Sequence, residues 1–96
     1  MSALTKLARG RECQVRLPNI CNFNSETTVL AHYRLAGTCG TGIKPPDFLG
    51  AHCCSSCHAA CDGATRTDMT HGELRLALAE GVFRTQMLAI KLGKLK

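Results

Sequence analysis

The stretch Cys54-Ser-Ser-Cys-His-Ala-Ala-Cys-Asp62 decides how this chain is interpreted, because it contains the motif C-x-x-C-H. Two cysteines at this spacing are typical of a zinc knuckle that leads into a helix, and the same motif also occurs where haem is attached. A zinc knuckle needs a second pair of thiols elsewhere in the chain. Haem attachment needs export and an apolar pocket for the porphyrin.

The composition favours a metal site as the main source of stability of the fold. With 96 residues and 4% aromatic side chains, the chain predicts one domain with a core that contributes little stability. It contains seven cysteines, an odd number that a pure disulfide scaffold would not use completely. Residues 1–16 carry four Lys and Arg and no apolar h-region, and no run spans a bilayer. We therefore expect a cytoplasmic protein with reduced thiols and no membrane partner.

A second pair of cysteines completes the metal site. Cys13 and Cys21 flank a short segment with a Pro-Asn turn, which predicts a tight loop or hairpin whose ends meet. Together with Cys54 and Cys57 they supply the four thiolates of a tetrahedral zinc site. Such sites contribute about 10 kcal/mol or more of apparent binding free energy in small zinc modules. Disulfides and unrelated thiols are the alternatives, and no haem is expected, because haem would leave the first pair without a role.

The remaining cysteines are interpreted as small buried residues: Cys39, Cys53 and Cys61. Since Cys53 is adjacent to a ligand, its side chain is expected to point away from the metal.

Further patterns predict the regular elements before the knuckle. Residues 1–10 favour a short helix with Ser2 as N-cap and Gly10 at its end. The β-branched run at residues 27–35 predicts a strand that ends at His32. Residues 36–50 contain four glycines and two prolines, which predicts a long loop. A short helix follows the knuckle and stops near Gly63.

A capping box at Thr70 and Glu73 predicts a C-terminal helix over about residues 71–92. We interpret this helix as the main supplier of the core, and the alternative is a homodimer through its broad apolar surface. Large apolar residues lie on two sides of it: Leu74, Leu78, Leu88 and Leu92 on one, and Leu76, Phe83, Met87 and Ile90 on the other.

The charge distribution favours a polyanionic partner. Twelve Lys and Arg against seven Asp and Glu give a net charge of +5, and the excess lies at residues 6–16 and 91–96. Nucleic acid is the natural partner of such a chain, and simple solubility is the alternative.

Two side chains after the knuckle share one helical face. His58 and Asp62 are four residues apart, so both can reach a second, more exposed divalent ion. The alternative is a surface histidine next to a carboxylate that ends the helix.

The full set of motifs resembles a known family. In order they are RECQVR with Cys21, LAHYRLAG, CGTG-x-KPPD and CSSCH-x3-D, and they cover nearly the whole chain. The chain is similar to the YbcO-type nucleases of lambdoid prophages, in the HNH or His-Me finger superfamily.

The resemblance implies a fold and a mechanism. The fold is α+β: one domain, 1–96, with zinc knuckles at 13–21 and 54–57, a ββα-metal core at about 27–63 and an added C-terminal helix. His32 would be the general base, since histidine accepts a proton near neutral pH. His58 and Asp62 would bind Mg²⁺ or another divalent ion.

The resemblance also assigns the remaining site residues. Asp47 is the nearest candidate for the family's middle Asn. Arg34, two residues past His32, would share its strand face and could hold the scissile phosphate; a solvated arginine at the strand end is the alternative. His52 and His71 are interpreted as incidental. Flanking phosphates would meet four cations: Arg9, Arg11, Arg16 and Lys44.

The function expected from the resemblance is a metal-dependent endonuclease of a bacterial host cell that hydrolyses phosphodiester bonds, preferentially in DNA. The alternative is a non-catalytic zinc module that binds nucleic acid or a phage replication or recombination partner.

Overall fold

Three helices surround one small antiparallel sheet in the computed structural model, which describes residues 3–94. The predicted α+β class is confirmed, and the predicted cap Ser2 lies outside the described residues. Within this range no helix is long and apolar enough to cross a membrane. The elements are α1 (Ala3–Ala8), β1 (Val29–His32), β2 (Gly50–Cys53), α2 (Ser55–Cys61) and α3 (His71–Lys91), with short 3-10 turns at Ser25–Thr27 and Asp47–Leu49.

The two strands form a hairpin with a fixed register. His32 pairs with Gly50 at one end, and Val29 pairs with Cys53 at the other. The chain therefore enters α2 from the end of the hairpin that is farthest from His32. The strand ending at His32 is confirmed.

The predicted loop over residues 36–50 is wrong at its end, because Gly50 begins the strand β2. The sequence patterns predict no strand after this loop. The segment Gly-Ala-His-Cys contains no β-branched or aromatic residue, so local propensity gives no signal. Burial explains why the strand forms: all four residues are buried, and backbone pairing satisfies their polar groups.

The hairpin is covered on both faces. Side chains alternate along a strand, so Ala31 and Ala51 share one face while Leu30 and His52 share the other. The first face packs against α3, and the second lies towards α1, which contacts β1. His52 is a fully buried core residue, and this burial lowers its pKa. That His52 has no role in the site stays a prediction.

The predicted capping box of α3 is confirmed. The Glu73 amide donates to the Thr70 hydroxyl over 3.1 Å, and the Thr70 amide donates to the Glu73 carboxylate over 2.8 Å. Further along α3, the Thr85 hydroxyl accepts the His52 amide at 2.9 Å. These contacts place the middle of α3 directly over β2.

The buried positions of α3 differ from the expected ones. Small residues make the closest contacts to the sheet, and Gly81, Val82, Thr85 and Ala89 are its buried residues. The whole second apolar side is exposed, at 55–71% of each side chain: Leu76, Phe83, Met87 and Ile90. The helix thus supplies the core with only part of its apolar surface. A homodimer through α3 stays a prediction.

We expect Gly81→Ala to destabilise the protein. An added Cβ would lie 2.7 Å from the Val15 Cγ2 and 3.3 Å from the Ala51 Cβ, and overpacking of this kind costs about 1–3 kcal/mol. Gly72→Ala on the same helix is the control, because its Cβ would meet only the Thr70 Oγ1 at 4.0 Å. The control should gain about 0.5–1 kcal/mol from helix propensity. Urea unfolding measures both; equal effects would contradict the packing described here.

Candidate metal centre and active site

Four cysteines from two distant segments form one cluster. The sulfur atoms of Cys13, Cys21, Cys54 and Cys57 all lie within 4.8 Å of one another. Tetrahedral Zn–S bonds of about 2.3 Å would place the sulfurs about 3.8 Å apart, and the Cys21 and Cys54 sulfurs are 3.7 Å apart. All seven cysteines of the chain are free thiols. The cluster can hold a metal ion such as zinc, and the disulfide alternative is not what the structure contains.

Backbone amides point at the sulfurs. The Arg16 amide donates to the Cys13 Sγ and the Leu17 amide to the Cys57 Sγ, each over 3.4 Å. The Cys57 amide donates to the Cys54 Sγ over the same distance, and this bond is also the N-cap of α2. Such bonds favour the thiolate form of a cysteine. One ligand of the cluster therefore also fixes where α2 begins.

The first knuckle is a loop rather than a hairpin. No strand forms within residues 13–21, and the ends meet because the backbone turns at two left-handed residues, Arg16 with φ 51° and Asn19 with φ 60°. Asparagine tolerates this conformation, whereas arginine adopts it at a cost. The prediction that Cys13 and Cys21 lie close together is confirmed. Of the two predicted forms of the segment, a loop or a hairpin, the structure contains the loop.

The structure corrects the prediction that Cys53 points away from the cluster. Its buried thiol interacts with the sulfurs of Cys13 and Cys57, and hydrogen bonds from Cys53 and Cys57 lower the pKa of Cys13. Burial raises the pKa of Cys21 to about 11. Metal binding here therefore releases protons and weakens as the pH falls.

Asn22 is a positioning residue that the sequence analysis did not find. Its side-chain amide donates to the Ser55 and Ser56 hydroxyls over 3.1 and 3.2 Å, and so joins the end of the first knuckle to the first turn of α2. The only sequence signal is its place directly after Cys21.

At the opposite end of the hairpin, His32 is paired with Asp47. The His32 Nε2 lies 2.7 Å from the Asp47 Oδ1, and the two side chains are 22% and 27% exposed. The turn that carries Asp47 is held beside β1 because the Tyr33 amide donates to the Leu49 carbonyl over 2.9 Å. The Gln86 side chain of α3 donates to the Phe48 carbonyl over 2.6 Å. Asp47 was predicted near this site, but only the fold brings its carboxylate to the ring.

His58 and Asp62 form a second pair on α2. The His58 Nε2 lies 3.2 Å from the Asp62 Oδ2, and the side chains are 40% and 62% exposed. Asp62 is also the C-cap residue of the helix, and Gly63 with φ 78° ends it as predicted. The i,i+4 spacing on one helical face is thus confirmed as a contact.

The two histidine pairs stay separate from each other. Within residues 3–94, the four cysteines are the only group of three or more His, Cys, Asp or Glu side chains that could hold a metal. The hairpin register accounts for this, because His32 lies at the end opposite Cys53, where the chain leaves the sheet towards α2.

The predicted phosphate-binding cations are spread over the surface. Arg34 is exposed but lies beyond the end of β1, so its predicted position on the strand is wrong. Lys44, Arg9 and Arg11 are exposed. Arg16 folds back onto its own loop, where its Nε donates to the Cys13 carbonyl over 3.0 Å.

The fold and the site together define a small α+β protein with a four-cysteine cluster that can hold a metal ion. A model of the family described as "Putative nuclease YbcO" matches residues 2–94, and the chain belongs to this family. The resemblance to this family that the motifs indicate is thereby confirmed, and the HNH or His-Me finger superfamily stays a prediction.

Relatives of known name match over the full length. The chain is 50% identical over 96 residues to "Putative nuclease YbcO" of Escherichia coli (strain K12) and to "Putative nuclease ybcO" of Enterobacteria phage 82, covering 100% of this chain and 99% of each relative. The solved structure described as "Structure of a putative bacteriophage protein from Escherichia coli str. K-12 substr. MG1655" superposes with a TM-score of 0.77 at 44% identity, covering 92% of this chain and 96% of that one.

We expect Cys54→Ser to lose the metal and most of the folded population. The residue is both a cluster member and the cap of α2, and zinc sites contribute about 10 kcal/mol of apparent binding free energy, comparable with a whole domain's stability. Cys39→Ser is the matched control, because Cys39 lies outside the cluster. Zinc content per chain and circular dichroism report the result. A folded, zinc-loaded Cys54→Ser protein would exclude the four-thiolate site.

Proposed function

We propose that this protein is a metal-dependent endonuclease that hydrolyses phosphodiester bonds of DNA, with His32 as general base. Membership of a family described as nucleases supports the reaction class. The observation that carries the assignment is the His32–Asp47 pair at the end of β1, because it is a partly exposed imidazole with a carboxylate at 2.7 Å.

The pair supplies what a general base requires. When the His32 Nε2–H donates to the Asp47 carboxylate, the lone pair lies on Nδ1, which has no hydrogen bond within residues 3–94. Nδ1 can therefore take a proton from a water that attacks phosphorus. The carboxylate then stabilises the imidazolium that forms, as it does in other His-Asp pairs.

His58 and Asp62 would hold the divalent ion. Two ligands in neighbouring positions of an octahedral Mg²⁺ are about 3 Å apart, and their Nε2 and Oδ2 atoms lie 3.2 Å apart. When bound, such an ion stabilises negative charge on the phosphate and on the leaving oxygen. Their exposure leaves room for water and for substrate.

The remaining residues have supporting roles in this proposal. Four thiolates hold a structural zinc that joins the first knuckle to α2. Arg34 and Lys44 are exposed cations that would contact phosphates from the loops around His32, as would Arg9 and Arg11. A prophage-encoded enzyme of the bacterial cytoplasm is the setting that this proposal assumes, since reduced thiols are available to zinc there.

We expect His32→Ala to lower metal-dependent nicking of supercoiled plasmid by about 10²–10⁴-fold, the usual contribution of a general base. Asp47→Asn should retain a hydrogen-bond partner but lose the negative charge, and so give a smaller loss. His71→Ala is the matched control, because His71 is exposed at the start of α3. Circular dichroism and zinc content must match the wild type. Full nicking activity in a folded His32→Ala protein would show that His32 is not the general base.

The ion site has its own test. His58→Ala and Asp62→Asn should raise the Mn²⁺ concentration needed for half-maximal nicking, while zinc content stays unchanged, because the pair lies outside the cysteine cluster. Asp68→Asn is the control, since Asp68 is an exposed carboxylate in the loop after α2. A Mn²⁺ dependence identical to that of the wild type would show that the ion binds elsewhere.

A non-catalytic zinc module is the second candidate. The observation that favours it is the separation of the two histidine pairs, which form no common group of three ligands within residues 3–94. Salt-sensitive nucleic-acid binding without nicking under any divalent ion, in protein with full zinc occupancy, would support this candidate over the nuclease.

A further inference from the structure

The two basic ends of the sequence meet in the structure. Lys6 on α1 and Lys94, just beyond α3, line the same cleft, which has a volume of ≈ 380 Å³. Lys6 also lines a neighbouring cleft of ≈ 250 Å³ together with Arg9 and residues of β1. The two clefts share Lys6, and we call them together the α1 cleft. Its cations are Lys6 and Arg9 from the start of the sequence and Lys94 from its end.

These cations have no acidic partner. The ion pairs within residues 3–94 are His32–Asp47, His58–Asp62 and Arg84–Glu80, and none of them includes a residue of the α1 cleft. All three side chains are exposed. Unneutralised cations close together raise the local positive potential, so the cleft attracts a polyanion more strongly than isolated surface charges do.

The cleft also contains an unused hydrogen-bonding group. Thr28 is part of its lining and is buried, and the Thr28 Oγ1 has no hydrogen-bond partner among the described residues. Buried hydroxyls are normally paired, so an orphan beside two cations is consistent with a polar ligand at this position.

The cleft borders the strand that carries His32. Leu30 lines the cleft and shares a face of β1 with His32, two residues and about 6.6 Å further along the strand. In addition, α1 packs against the turn that carries Asp47. A strand of nucleic acid that is bound at His32 and follows β1 would thus reach the cleft.

We propose that the α1 cleft binds backbone phosphates of a duplex nucleic acid next to the phosphodiester presented to His32. The inference rests on the proposed nuclease function and adds a substrate track that includes Lys6 and Lys94. It predicts that binding depends on charge and not on base sequence. Lys6, Arg9 and Lys94 can contact phosphate oxygens, and among the described residues the cleft presents no helix or strand that would enter a groove and contact base edges.

Binding can be measured apart from catalysis. Fluorescence anisotropy of a labelled duplex is recorded with His32→Ala protein, without divalent ions, across a range of salt concentrations. Adding Lys6→Gln or Lys94→Gln should each reduce the slope of log K against log salt by about 0.9, the value for one lost phosphate contact. Lys6→Arg should restore the slope. Arg66→Gln, which removes one charge from the loop after α2, should leave it unchanged.

The outcomes separate the two proposals. Unchanged slopes in Lys6→Gln and Lys94→Gln would overturn the phosphate track even if the wild type nicks plasmid through His32. Lower slopes in protein that never nicks would support the track and remove the nuclease. An equal decrease of the slope in Arg66→Gln would show that the slope depends on the net charge of the protein rather than on the α1 cleft, and would overturn the track. Binding to anionic phosphatidylglycerol vesicles through these lysines, with no duplex binding, would assign the cleft to a membrane instead.

Discussion

The contact among four thiols from two distant segments is the interaction on which the rest of this structure depends. It joins the loop at residues 13–21 to the start of α2, and the Cys54 Sγ also accepts the amide that caps this helix. A domain with so few aromatic side chains has little other means of holding its ends together. The sulfurs, the amides that point at them and the Asn22 side chain form one polar junction around the metal position.

The small residues of the hairpin follow from the way in which helices cover it. Ala31 and Ala51 lie under α3, and Gly81 allows the helix to approach within contact of Val15. Bulky side chains at these positions would push α3 off the sheet. The close approach matters for the site, because the same helix holds the turn of Asp47 through Gln86. The packing of α3 on the sheet thereby helps to hold the Asp47 carboxylate next to the His32 imidazole.

The proposed activity and the proposed substrate track share the strand β1. The His32–Asp47 pair lies at the C-terminal end of β1, and Lys6 and Arg9 border the beginning of the same strand. The four-cysteine cluster, which can hold a metal ion such as zinc, lies near the other end of the hairpin, where the Cys54 Sγ caps α2, the helix that carries the His58–Asp62 pair. The cysteine cluster and the proposed general base are thus at opposite ends of the hairpin.

The sequence by itself determined the elements that local chemistry controls. Cysteine spacing identified all four sulfurs of the cluster, the capping box at Thr70 marked the start of α3, and β-branched residues marked β1. Only the tertiary structure decided β2, because Gly50–Cys53 forms a strand through burial and pairing rather than propensity. It also decided the place of Cys53, the pairing of His32 with Asp47 and the meeting of Lys6 with Lys94. These features depend on which distant segments pack together, and local patterns in the sequence do not predict this packing.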